Sequence, residues 1–245
     1  MRLNRKKVLL KALCLLLFPG ALLSTTSAFA QSDEDTAKEL TNFLKAARGV
    51  ISDNQTLIND ATKGDKGLTP AKVVENAKAN YAKITGAEYP DGDAHKVLVA
   101  SITSIMEQAQ DVINEQGKGF KGFLPAVFGK QVADDFTKNM AGKMYLKLTA
   151  PKEYIRNRAN RPDSWEEGVI ESKFRASSWA KGEPFKEEAD LKGQKAYRYI
   201  IPEYYGESCL SCHGDPKGEV DITGGKKEGG KLGELGGAIS FAIYK

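Results

Sequence analysis

The sequence predicts an α+β fold, with long helices first and an antiparallel β-sheet after them. From residue 31 to about residue 142 the apolar residues recur at helical spacing. From Lys143 onward they alternate as strands do. Helices followed by strands, rather than interleaved with them, point to an antiparallel sheet. The size fits: 245 residues, 41% hydrophobic and 28% charged, make a globular chain with room for one large domain or two small ones. We expect one domain over 31–245, mainly helical over 31–142 and sheet-forming over 143–245.

The elements follow in order. Residues 31–60 read as one helix, on Leu40, Phe43, Leu44, Ala47, Val50, Ile51, Leu57 and Ile58. The stretch KGDKGLTP (63–70) breaks it, and Pro70 is suited to start a second helix, to about Ile84. A third begins near Ala94 and runs through Val97, Leu98, Ile102, Ile105 and Met106 to about Ile113. KGFKGFLP (118–125) breaks that one, and a fourth helix runs to about Met140. The two halves match at an offset of 55 residues: Val50 with Ile105, Gln55 with Gln110, Ile58 with Ile113, Asn59 with Asn114. Six of the nine positions 63–71 are identical to 118–126. We read a degenerate repeat of helix, KGxKG turn and Pro-started helix; two copies are too few for a solenoid.

Residues 144–149 alternate as a strand. IRNRANRPDSWEEG (155–168) is a loop by composition, and 170–179 is helix or strand. KAYRYII (195–201) is strand-like. A glycine-rich tract, TGGKKEGGKLGELGG (223–237), precedes a last alternating strand over 238–244.

The first thirty residues read as an address. Arg2, Arg5, Lys6, Lys7 and Lys11 precede the apolar stretch ALCLLLFPGALL, and a polar run ends in Ala28-Phe29-Ala30. This is the pattern of a cleaved secretory signal, with Gln31 as the new N-terminus. The apolar stretch falls short of the ~20 residues that span a bilayer, and Pro19 interrupts it. The alternative is an uncleaved membrane anchor. Cys14 would leave with the signal. Without these thirty residues, five basic and none acidic, the net charge of +4 becomes −1. A nearly neutral mature chain argues against nucleic-acid binding driven by bulk charge. We expect an exported, periplasmic, soluble protein with no membrane span. Three Cys and two His exclude a disulfide scaffold or a zinc-finger array.

The chemistry lies in Cys209-Leu210-Ser211-Cys212-His213, a CxxCH motif. Two thiols three positions apart suit thioether bonds to the two vinyl groups of one haem, with the adjacent His213 carried to the iron. Three other readings compete. Structural zinc wants four ligands, and His213 directly beside Cys212 is awkward for one tetrahedral ion. A disulfide or dithiol redox motif normally opens a helix after a strand in an alternating α/β pattern, which is missing here. The third is chance. One motif implies one covalent haem c. Tyr197, Tyr199, Tyr204 and Tyr205 lie just upstream, with Trp165, Phe174 and Trp179 further back. Of these, Tyr204 and Tyr205 are candidates to pack against a macrocycle; the alternative is ordinary core. Arg156, Arg158 and Arg161 are candidates to hold haem propionates; the alternative is a solvated basic loop.

The stretch PEYYGESCLSCHGDPKGEVDITGGKKEGGKLGELGGAIS resembles the PAS-like c-type haem domains, a family of unknown function. NQTLINDATKGDKGLTP, GKGFKGFLPAVFG and APKEYIRNRANRPDSWE are similar to the same family, so the resemblance spans about residues 40–245. It includes free-standing periplasmic or lumenal monohaem cytochromes and extracytoplasmic input domains of bacterial receptors. The resemblance implies a PAS-like antiparallel sheet with long N-terminal helices, haem on Cys209 and Cys212, and His213 as an axial ligand. Some relatives use a cysteine thiolate as second axial ligand; no third mature Cys exists here to do so. Receptor-type relatives continue into transmembrane segments; this chain stops at Lys245, which leaves a sensor acting through a separate receptor protein.

The sixth iron ligand divides the functions. Candidates are His95, Met106, Met140, Met144, a Lys, water or none. His95 and Met106 are about three helical turns apart and share a face. For His95 the alternative is an exposed helix-start residue beside Asp91 and Asp93; for each Met it is core packing. A strong sixth ligand suits single-electron transfer with a redox protein partner. An open site suits ligand sensing, or weak peroxidase chemistry. A dedicated haem enzyme lacks support, because no paired carboxylates or distal His–Arg signature are present.

Overall fold

Ser32 starts the first helix. Its Oγ accepts the Asp35 amide at 3.0 Å, and Asp33, Glu34 and Asp35 set negative charge at the positive helix end. A computed structural model describes residues 32–245; the expected signal segment and Cys14 lie outside them. Helix α1 (Asp33–Asp53) buries Leu40, Phe43, Leu44, Ala47, Val50 and Ile51. The single helix expected over 31–60 breaks at Asn54, whose side chain donates back to the Val50 carbonyl at 2.8 Å. A one-turn helix α2 (Gln55–Ile58) follows.

Helix α3 (Pro70–Thr85) has Pro70 in its first turn, is capped by Thr69 and ends on left-handed Gly86. Helices α4 (Asp93–Ile113) and α5 (Pro125–Asn139) complete the helical half, close to the expected limits. The 55-residue repeat has a physical counterpart. The Lys66 amide donates to Asn114 Oδ1 at 2.9 Å, and the Lys121 amide donates to Asn59 Oδ1 at 2.9 Å. Gln110 donates to the Leu68 carbonyl at 3.1 Å, and Gln55 to the Phe123 carbonyl at 3.0 Å. Each KGxKG turn is therefore fastened by the other copy. The buried Lys66 and Lys121 side chains cap carbonyls within their own turns, Lys66 on Asp60 and Lys63, Lys121 on Lys118.

The second half is one antiparallel sheet in the order β1-β4-β3-β2. The strands are β1 (Met144–Thr149), β2 (Phe185–Leu191), β3 (Gln194–Tyr204) and β4 (Leu235–Tyr244). Leu146, Leu148, Tyr199, Ile201, Ile239 and Phe241 point one way and join the helical core. Ile200 and Ala238 point the other way and join Val169, Ile170 and Phe174 in a smaller core. The stretch expected as loop at 155–168 instead contains helix α6 (Ser164–Val169), started by a reciprocal cap between Asp163 and Glu166. A π turn (Ile170–Phe174) resolves the ambiguous segment. The CxxCH residues lie on a helix of their own, α7 (Glu207–His213), between β3 and β4. Among the described residues no helix is long and apolar enough to cross a membrane.

Candidate functional site

Strand β3 ends at Tyr204, and two residues later Gly206 opens α7. Helix α1 steadies this junction: Arg48 pairs with Glu203, and Ser52 Oγ lies 2.9 Å from Ser208 Oγ. Helical spacing puts Cys209, Cys212 and His213 on neighbouring positions of one face. Both thiols are half-buried and free of disulfide. The helix ends at Gly214, where only glycine fits: a Cβ there would lie 2.6 Å from the Leu210 carbonyl oxygen.

His213 is held on several sides. Its Nδ1 lies 2.8 Å from Glu228 Oε2. Its ring stacks on Tyr205, with centroids 5.3 Å apart and planes inclined by 21°. Its carbonyl accepts the Gly230 amide at 2.7 Å, and the Gly214 carbonyl accepts the Gly229 amide at 3.2 Å. The glycine-rich tract thus wraps the exit of α7. Glycine is required by contact: a Cβ at Gly230 or Gly236 would lie 2.5 Å from the Tyr205 ring.

Behind His213 is an ion network. Arg156 Nε donates to Glu228 Oε1 at 2.7 Å, and its Nη2 to Glu228 Oε2 at 3.1 Å and to the Cys212 carbonyl at 2.7 Å. Its Nη1 pairs with Asp221. Burial pushes the Glu228 carboxyl up, but hydrogen bonds from Arg156 and His213 outweigh it and hold Glu228 below the usual range. Asp221 behaves alike: burial opposes ionisation, and bonds from Thr223 and Arg156 bring it down to about 2. An ionised Glu228 only accepts, so the proton between the two residues belongs to His213 Nδ1, and Nε2 lies outside this contact. Burial, then the Glu228 charge, raises the Tyr205 phenol, whose buried oxygen has no hydrogen-bond partner.

The other sequence candidates are placed as follows. Arg156 reaches the motif, but its guanidinium is committed to Glu228, Asp221 and carbonyls of its own chain. Through these bonds it braces the loop. Arg158 and Arg161 are exposed on the same connection. Tyr205 is at the site. Tyr204 faces away, its oxygen accepting the Gly182 amide at 3.1 Å and its ring lying under Lys181. Tyr197 and Tyr199 belong to the helical side of the sheet, and Trp165, Phe174 and Trp179 to the smaller core.

His95 and Met106 are not brought to α7. His95 is buried rather than exposed, with Nε2 on Glu39 Oε2 at 2.9 Å and its ring edge-on to Tyr89. Glu39 and Ser52 are thirteen residues apart on α1, about 20 Å at 1.5 Å per residue. Ser52 is where α1 meets α7, so His95 sits at the far end of that helix. Met106 is fully buried in the helical core, and Met140 and Met144 pack against it. Sequence reasoning missed Glu228, Asp221 and the glycine cradle.

The donor set suits one covalent haem: two free thiols a helical turn apart, and an imidazole whose Nδ1 is engaged while Nε2 is left to ligate. The fold and site define an α+β protein that presents a braced Cys-x-x-Cys-His turn on the sheet side of a helical half. A family model described as Tll0287-like matches residues 27–243. The chain belongs to that family, the PAS-like c-type haem-binding domains of unknown function. No curated protein and no solved structure shows significant similarity to the chain.

Proposed function

We propose that the chain is an exported monohaem c-type cytochrome that carries single electrons between protein partners. Cys209 and Cys212 form the thioethers, and His213 ligates the iron through Nε2. The observation that carries this reading is the His213–Glu228 contact of 2.8 Å, which reserves Nε2 on the same turn as two free thiols. Bound haem would supply a one-electron ferric/ferrous couple. The chain's part is to anchor it, to orient the imidazole through Glu228 and Tyr205, and to hold the α7 exit closed through Arg156 and Gly230.

A second reading, a haem-based sensor acting through a separate receptor protein, draws on one observation. His95, Met106, Met140 and Met144 all lie in or against the helical core. That favours a weak or open sixth position, which admits small ligands.

The test is expression with a c-type haem maturation system. Covalent, extraction-resistant haem is expected. It should be lost on combining Cys209→Ala with Cys212→Ala, and kept but misligated in His213→Ala. Haem-positive protein without both cysteines, or an unchanged His213→Ala spectrum, overturns the assignment. A ferrous spectrum indifferent to carbon monoxide supports the carrier; a responsive one supports the sensor.

A further inference from the structure

We propose that Glu228 is the positioning residue for His213: its carboxylate fixes the Nδ1–H tautomer and strengthens Nε2 as a donor to oxidised iron. This rests on the haem reading above.

Three observations converge. The contact is short, 2.8 Å from Nδ1 to Oε2. Glu228 is little exposed, 11% at the side chain, so water competes weakly for its oxygens. Its orientation is also fixed from behind. Arg156 grips both carboxylate oxygens, at 2.7 and 3.1 Å, and the same guanidinium holds the Cys212 carbonyl at 2.7 Å. Glu228 is thereby tied to the backbone of the very turn that carries the imidazole, and the pair must move together.

The chemistry follows from charge. A carboxylate facing the Nδ1 proton raises the basicity of the ligating nitrogen. A more basic imidazole favours the ferric over the ferrous state, and so lowers the potential. Arg156 acts here by position: it holds both Glu228 oxygens and so keeps the carboxylate aimed at Nδ1. A neutral acceptor in the same place would hold the ring equally well and leave the potential higher. Removing such a partner typically costs 10–100-fold in metal-site strength.

The measurement is a redox titration of holoprotein, wild type against Glu228→Gln. Gln keeps the length and one acceptor for Nδ1–H; it removes the charge and, with the second oxygen, one of the two bonds from Arg156. About a tenfold loss of ferric preference is expected, a rise of about 59 mV for a one-electron couple. Glu228→Asp, which restores the charge, should return the potential toward wild type. An unchanged potential in Glu228→Gln overturns the proposal and leaves Glu228 a loop strut. Wild-type holoprotein supplies a second readout that depends on no variant folding. Its His213 Nδ1 should carry a hydrogen-bonded, slowly exchanging proton by NMR; an unprotonated Nδ1 overturns the proposal. Failure to find any covalent haem overturns this proposal together with the haem reading. Covalent haem with an insensitive potential overturns this proposal alone.

Discussion

Asn59 and Asn114 stand 55 positions apart and do the same work in each other's turn. Each side-chain oxygen accepts a lysine amide of the opposite KGxKG segment at 2.9 Å. Neither turn is therefore complete without the other copy. Asn59→Ala and Asn114→Ala should each strand one part-buried amide, at a cost of about 1–3 kcal/mol. Urea denaturation should give similar losses for the two. A loss confined to one position would show that the two turns are not equivalent.

Part of this architecture was open to reading in the sequence, and the rest was hidden for identifiable reasons. The repeat was visible because the same turn needs the same glycines and lysines twice. The helices of the first half were visible because their apolar faces recur cleanly. Strand β2 was hidden because FKEEADL carries charges on its exposed edge and shows no apolar alternation. Helix α6 was hidden because its polar, loop-like composition masks the Asp163–Glu166 capping signal. At the site, CxxCH announced itself by local spacing. Glu228 did not, because its partner is fifteen residues away across a glycine tract and no local pattern records that fold-back. Arg156 stands out in the sequence as a basic loop residue, but its pairing with Asp221 and Glu228, more than sixty positions away, leaves no local mark.

The sheet's outer face contains a second ion network with a different expected behaviour. Glu166 is wholly buried, accepts Lys147 Nζ at 2.7 Å, and lies 3.7 Å from the buried Arg198 guanidinium. Glu166→Ala leaves Lys147 without its carboxylate and Arg198 with Asp163 alone, at 2.7 Å, and about 3–5 kcal/mol of destabilisation is expected. Replacing Glu166 and Arg198 together with apolar residues of similar volume should recover much of that loss. Chemical denaturation of the single and double variants checks both steps. A double variant weaker than the sum of its singles would show that the charges themselves are needed.

Asp221 gives the fold an acid-sensitive point. Its native carboxyl is brought down to about 2, against an ordinary value of 3.8. A depressed folded value means that the contribution is fully present above pH 4 and is lost as pH falls toward 2. Protonation there weakens the grip of Arg156 on the loop that follows α7. Asp221→Asn should lower stability at neutral pH and flatten its decline between pH 4 and 2. Stability curves of equal slope for the two proteins in that window would refute the assignment.

Tyr205 offers the most direct test of the cradle. Gly230 and Gly236 lie against opposite edges of its ring, and His213 lies on its face. A methyl group at 236 would fall 2.5 Å from the ring carbon Cε1, too close for any contact, so the ring must move. Gly236→Ala should therefore cost about 1–3 kcal/mol and disturb the His213 environment. In haem-loaded protein that disturbance should appear as a shifted absorption spectrum. Tyr205→Phe provides the contrast. The phenol oxygen is buried with no hydrogen-bond partner, so its removal should be neutral or stabilising and should leave the ring in place. Thermal melts and spectra of the two variants separate the effects. If Gly236→Ala leaves the His213 signals unmoved, the ring does not buttress the imidazole and the cradle has another purpose.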